Sequence, residues 1–205
     1  MTRKSNVLTA FMTLATLTAA TAPSSAQESP VDAIRGRNQA VKVILETVEG
    51  DSVFGETRER LKDEINGLID FPELSARALG RYWNDRSEAE QGEFISVFRE
   101  LVRNSSVRKL EVHEADSISY AAPEVEGENA TVLTTAHKND QSVEIVYHLL
   151  RRDSEWKAWD VVIDGSSTMR TYRDSFYREI RSTSFEAMLD RLKERLAEEV
   201  GTTGT

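Results

Sequence analysis

Apolar positions fall at helical spacing through the first half of the chain, alternate in the middle, and return to helical spacing at the end. Val31, Ile34, Val41, Leu45 and Val48 stand three, four or seven apart, behind a Ser29-Pro30 start that offers a serine cap and a first-turn proline. This predicts one amphipathic helix ending near Gly50, followed by a loop from Asp51 to Gly55. Glu56 to Ile69 predicts a second helix with Leu61, Ile65, Leu68 and Ile69 on one side. Asp70-Phe71-Pro72-Glu73 restarts a short helix that runs to Leu79 and stops at Gly80. Ser87-Glu88-Ala89-Glu90 is a capping box: the serine caps a free amide and the glutamate reaches back. The helix it opens carries Phe94, Phe98, Leu101 and Val102 and is predicted to reach about Leu110.

The period then changes from 3.6 to 2. Ser117 to Ala121 is a weak strand, with a turn around Pro123 to Glu128. Ala130 to His137 is a Thr/Val-rich strand closed by an Asn139-Asp140 turn. In Val143, Ile145, Tyr147 and Leu149 every second residue is apolar, the half-buried strand pattern, while Val146 and Leu150 make the other face partly apolar. Trp156 to Ile163 is the next strand, with Trp159, Val161 and Ile163 aligned on one face, broken by Asp164-Gly165. Ser167 to Arg181 reads as a helix. Thr183-Ser184-Phe185-Glu186 reads as a second capping box, opening a helix with Phe185, Met188, Leu189, Leu192 and Leu196. Helices, then an antiparallel meander of about four strands, then helices make an α+β fold. Short connections predict a single domain.

The N-terminus reads as an address. Arg3 and Lys4 precede an uncharged stretch from Val7 to Ala20, too short to span a bilayer, and Ser24-Ser25-Ala26 fits a cleavage site after Ala26. Residues 1–26 are therefore expected to be a secretory signal peptide, 27–199 the folded domain and 200–205 a flexible tail. The implied location is the periplasm or the exterior. Hydrophobic residues make up 39% of the chain and charged residues 30%, a globular composition. The net charge is −9, and removing Arg3 and Lys4 with the signal takes it to −11. Such a chain is a poor partner for nucleic acid or an anionic membrane. With no cysteine, disulfides, thiolate metal sites and cysteine nucleophiles are excluded.

Polar motifs give little chemistry. Glu111-Val112-His113-Glu114 lacks the spacing of a metal site and reads as a solvated charged face. His137 and His148 lie on neighbouring predicted strands and read as cross-strand partners facing each other. Asp164-Gly165-Ser166-Ser167 lacks the second glycine of a nucleophile elbow and reads as a turn plus helix cap. No residue is assigned a catalytic or metal-binding role, and no cofactor is expected.

Two longer stretches are more specific. The run Asp70-Phe71-Pro72-Glu73-Leu74-Ser75-Ala76-Arg77-Ala78-Leu79-Gly80-Arg81-Tyr82-Trp83, followed by the capped helix with Phe94, Phe98 and Leu101, resembles the phospholipid-binding MlaC family, also called the toluene-tolerance family. Trp156, Trp159-Asp160-Val161, Ile163, Gly165, Ser167, Tyr172-Arg173 and Phe176 are similar to that family's tryptophan-led strand, Gly-x-Ser turn and Tyr-Arg helix. The resemblance spans roughly residues 30–198. It departs at Ser105, where the family usually has a tyrosine that helps shape its interior, and at Ser184, where it often has a glycine.

The resemblance implies a periplasmic carrier, not an enzyme. Such a carrier moves a phospholipid, or in one branch a hopanoid, between an outer-membrane protein complex and an inner-membrane ABC transporter with an MCE domain. Exposing a two-chain lipid of about 30 methylenes costs on the order of 24 kcal/mol at about 0.8 kcal/mol each. A carrier must therefore replace the bilayer with an apolar lining. A cavity is expected between the sheet and its covering helices, lined from Trp83, Phe94, Phe98, Val146, Leu150, Trp159, Val161, Met169, Tyr172 and Phe176. Arg173 stands either at the mouth, to attract a phosphate, or in a structural ion pair. The alternatives are a hydrolase-like enzyme using His113 or His148 with a carboxylate, and a structural or chaperone-like protein with a full, dry core.

Overall fold

Two-residue turns build the sheet. The computed structural model describes residues 28–47, 55–107 and 115–203. The segment read as a signal, most of the Asp51 loop, the stretch around Leu110 and the His113 cluster lie outside these residues. Strand β3 (Asn129–Lys138) pairs with β4 (Gln141–Arg152), and β4 with β5 (Glu155–Ile163), all antiparallel. The β4–β5 turn has positive φ at both Asp153 and Ser154, and the next turn has it at Asp164 and Gly165. These mirror-image turns match the twist of the strands they join. Strands β1 (Ser117–Tyr120) and β2 (Glu124–Glu126) share the outer edge of β3, interrupted around Pro123. Strand β6 (Ser166–Ser167) pairs with the end of β5. The predicted four-strand meander is thus present, with β2 and β6 as short additions.

Six helices accompany the sheet among the described residues: α1 (Pro30–Glu46), α2 (Gly55–Asn66), α3 (Phe71–Leu79), α4 (Glu88–Val107), α5 (Thr168–Ser182) and α6 (Phe185–Thr203). The predicted caps hold at Ser29, whose hydroxyl accepts from the Asp32 amide, at Asp70, which accepts from Glu73, and at Ser167, which accepts from Arg170. The first capping box is closed from both sides between Ser87 and Glu90. The second differs from expectation: Ser184 caps α6 through the Ala187 amide, and Thr183 instead donates to the Glu179 carbonyl at the end of α5. Helix α6 also continues to Thr203, into the stretch read as tail.

Three further departures have tertiary causes. Helix α2 stops at Asn66 rather than Ile69, because the next residues find partners on the free edge of β5. The Asp70 amide donates to the Ala158 carbonyl at 2.8 Å, and the Ala158 amide to the Leu68 carbonyl at 2.7 Å. A bulge in the β4–β5 ladder pairs His148 with Asp160 but Leu149 with Ala158, leaving Trp159 as the extra residue. The face of β5 set against the inner residues of β4 therefore changes phase: Ala158 lies opposite Leu149 before the bulge, Val161 opposite Tyr147 and Ile163 opposite Ile145 after it, and Trp159 is the extra residue between them rather than a regular member of that alternation. Finally, His137 lies opposite Ser142 and His148 opposite Thr131, so the two histidines do not face each other.

The apolar interior is divided. One cluster joins the inner face of the sheet (Val132, Ile145, Tyr147, Leu149, Trp156, Ala158) to Ala33 and Ile34 of α1. A second consists of α3, α4, α5 and α6 packed around Phe94, Phe98, Phe176, Phe185 and Met188. A small third cluster holds α1 to α2 through Val41, Ile44 and Leu61. Ile69 packs against both large clusters, at the seam between them.

Candidate functional site

Along α4 the core-facing stripe tapers: Phe94 and Phe98 are fully buried, Val102 follows, and Ser105 and Ser106 come last. The two phenylalanines stack on each other at 5.4 Å between centroids and meet Phe176 edge-on at 5.4 and 5.2 Å, filling their part of the interior. Where the stripe shrinks to valine and serine, the sheet is not reached. A cavity of about 550 Å³ occupies that gap.

The sheet supplies Ile145, Tyr147, Trp159, Val161 and Ile163 to one wall. The seam supplies Ile65, Leu68 and Ile69, the helical core Leu74 and Val102, and the start of α5 Thr168, Thr171 and Tyr172. Tyr172 bridges wall and core, its ring 4.7 Å from Phe98.

Most polar liners, other than the Ser166, Thr168 and Tyr172 hydroxyls, have spent their hydrogen-bonding capacity within the protein. Ser105 and Ser106 donate to the carbonyls of Val102 and Arg103 on their own helix. Thr171 donates to the Ser167 carbonyl. Asn66 donates to the Lys62 carbonyl and to the Ser106 hydroxyl. Asp160 accepts the Ser167 hydroxyl at 2.6 Å and the Met169 amide at 2.9 Å, so this buried carboxylate anchors the first turn of α5. Burial first, and nearby Tyr120 second, push the Tyr147 phenol well above its ordinary value, against the pull of its bond to Thr134. It is a neutral hydroxyl at physiological pH. The resulting surface suits hydrocarbon better than a polar ligand, which needs unpaired donors and acceptors.

The Asp70-Phe71-Pro72-Glu73 motif holds the seam. Besides capping α3, Asp70 accepts from Arg152 Nε at 2.9 Å, while Arg152 Nη2 reaches Glu73 at 2.8 Å. The Asp70 bond and charge hold the Arg152 guanidinium above its ordinary value. Arg77 pairs with Glu73 and lies 4.0 Å from the centre of the Trp159 ring, whose other neighbour is His148, stacked at 5.1 Å.

Of the residues expected to line a cavity, Trp159, Val161 and Tyr172 do so. Phe94, Phe98 and Phe176 form the dry helical core, with Trp83 and Met169 packed on it. Val146 lies on the outer face of the sheet opposite Leu133 and Val162, and Leu150 shares its side of β4, because the odd-numbered residues Ile145, Tyr147 and Leu149 take the inner face. Among the described residues Arg173 has no ion-pair partner, and it is not at the lining of this cavity. Ile65, Leu68, Ile69, Leu74, Ile145 and Tyr147 were readable only as buried positions. Ser105 had a signal of its own, a small polar residue continuing an apolar stripe.

Among the described residues both histidines are bonded to hydroxyls and neither to a carboxylate. His137 Nε2 is 3.3 Å from Ser119 Oγ, and His148 Nδ1 is 3.4 Å from Thr131 Oγ1.

The family model described as MlaC protein matches residues 37–194. Among solved structures, the fold is similar to the phospholipid-binding protein from Ralstonia solanacearum in complex with a phospholipid. The match has a TM-score of 0.69 and 19% identity, and covers 82% of this chain and 97% of that one. No curated protein matches the chain.

Proposed function

The chain belongs to the MlaC family, and we propose from that premise that it is a lipid carrier whose cavity shelters the acyl part of a phospholipid. The observation that carries this reading is the gap of about 550 Å³ between two separately packed cores, walled mainly by apolar groups, with Asn66, Ser105, Ser106, Asp160 and Thr171 already bonded to the protein. Taking a methylene to fill about the volume of a water in the liquid, ~30 Å³, the cavity accepts on the order of 18 methylenes. At about 0.8 kcal/mol each, that shelters on the order of 14 kcal/mol of hydrocarbon from water. This is one long chain, or parts of two. Seating both chains fully requires the sheet and the helical core to part along the seam at Ile69.

The similar Ralstonia protein, solved with a phospholipid, supports the ligand class. The wider role is proposed with it: the protein works in the periplasm and shuttles lipid between an outer-membrane complex and an inner-membrane MCE-domain transporter. It acts as a carrier and not a catalyst. Exposure of the headgroup to water suffices, so no dedicated headgroup site is needed.

Native mass spectrometry of protein purified from cells tests the central claim, with extraction to separate phospholipid from hopanoid. A mass increment matching one lipid per chain is expected. Protein that arrives free of lipid, and takes none from phospholipid vesicles, sinks the reading.

A further inference from the structure

Of the seventeen arginines among the described residues, eight are locally neutralised. Arg35, Arg37, Arg77, Arg86, Arg103, Arg152, Arg191 and Arg195 each have a carboxylate within 4 Å. Helix α5 gathers four of the nine that are not. Arg170, Arg173, Arg178 and Arg181 have no carboxylate partner among the described residues. Arg170, Arg173, Tyr177 and Arg181 stand three, four and four apart and form one stripe along the helix. Arg81, at the end of α3, joins it. Its guanidinium lies 4.9 Å from the Tyr82 ring centre and 5.0 Å from that of Tyr177, and its amide donates to the Tyr177 hydroxyl at 3.1 Å. Helix α5 keeps a net positive charge: against four arginines it has two acids, Asp174, four residues from Arg170 and Arg178, and Glu179, which is paired with Arg191.

This placement works against the helix. Arg170 sits in the first turn, where the macrodipole disfavours a cation; the turn itself holds no acid, and the Asp160 carboxylate at the helix start is bonded to Ser167 and the Met169 amide rather than to Arg170. Arg170–Arg173 and Arg178–Arg181 are like-charge pairs one turn apart. Local charge choices that oppose the fold mark a site used for something else.

We propose that the α5 stripe with Arg81 and Tyr177 is the docking surface for an acidic protein partner. This rests on the carrier reading, since a carrier must be met by donor and acceptor proteins. Planar guanidinium forks suit carboxylates, and arginine with tyrosine is the composition of interface hot spots. An anionic bilayer is a worse fit. The chain as a whole carries −9, and the other exposed α5 positions beside the arginines are Thr171, Asp174, Ser175 and Ser182, with no bulky apolar group to insert. The stripe begins one residue from Thr171, which lines the cavity, so a partner seated there meets the cavity wall.

The test titrates the full chain with poly-L-glutamate as the acidic polypeptide probe, at low and physiological salt. Saturable binding that weakens with salt is expected. The variant R170E/R173E/R181E should bind about tenfold or more weakly, three exposed pairs each contributing up to about 1 kcal/mol. R170Q/R173Q/R181Q should fall between. The control K42E/R60E/R99E, with the same change in net charge, should bind like the parent. No probe binding, equal binding by the stripe variant, or an equal loss in the control overturns the proposal. So does tight binding of the parent to phosphatidylglycerol vesicles that the stripe variant loses, which makes the partner a membrane. Native mass spectrometry on the same proteins keeps the two readings apart. Lipid retained by a folded stripe variant is expected, and lipid lost by it reassigns the arginines to the headgroup. A parent that never holds lipid fails the carrier reading alone.

Discussion

Ser105 occupies the last position of a stripe that begins with two phenylalanines, and its hydroxyl is turned back onto the Val102 carbonyl. A large side chain there grows into the cavity rather than into a packed core. Ser105→Trp should cut lipid occupancy sharply while changing the unfolding midpoint little, measured by native mass spectrometry beside a urea titration. Tyr147 makes a second prediction. Above about pH 10 the unfolded chain releases its phenolic proton while the folded chain keeps it. The unfolded state then binds fewer protons, so stability falls as pH rises. This contribution is intact below about pH 10 and is lost as pH climbs toward the raised folded value. Urea midpoints should therefore fall more steeply from about pH 9 to 11 in the parent than in Tyr147→Phe. Both residues were legible as elements of a helix and a strand. Their role at the cavity was not, because spacing tells which face is buried and not what stands opposite.

At the scale of elements, the contact between α3 and α5 depends on Gly80. It has a φ of 50°, and a Cβ there would run into the Tyr177 hydroxyl. Gly80→Ala should destabilise by about 1–3 kcal/mol through backbone strain and the clash. Gly80→Ala/Tyr177→Phe should recover part of that loss in equilibrium urea unfolding, since the clashing oxygen is gone and the strain remains. Caps and turns were the best-read features of the sequence. Asp70, Ser87 and Ser167 act through amides two or three residues away, which a short stretch of chain encodes in full. The end of α2 and the phase of β5 were misread. Both depend on a partner distant in sequence: the free backbone of Ala158 in one case, the bulge against His148 and Leu149 in the other.

Across the whole molecule, close packing and the cavity belong to different parts of the interior. The rings around Phe98 make a dry core, and the space between that core and the sheet makes the cavity. Phe98→Ala should cost about 3–5 kcal/mol in urea unfolding yet leave lipid attached in native mass spectra. That is the reverse of the pattern expected for Ser105→Trp. If both variants lost lipid in proportion to stability, the interior would be one continuous core and the separation drawn here would be wrong. The sequence alone determined the α+β order, the hairpin turns and most helix caps, because each arises from interactions within a few residues. It also marked the bulky side chains as buried. Only the tertiary structure decided which of them fill space and which enclose it, since a void is set by the distance between two surfaces and neither surface encodes that distance alone.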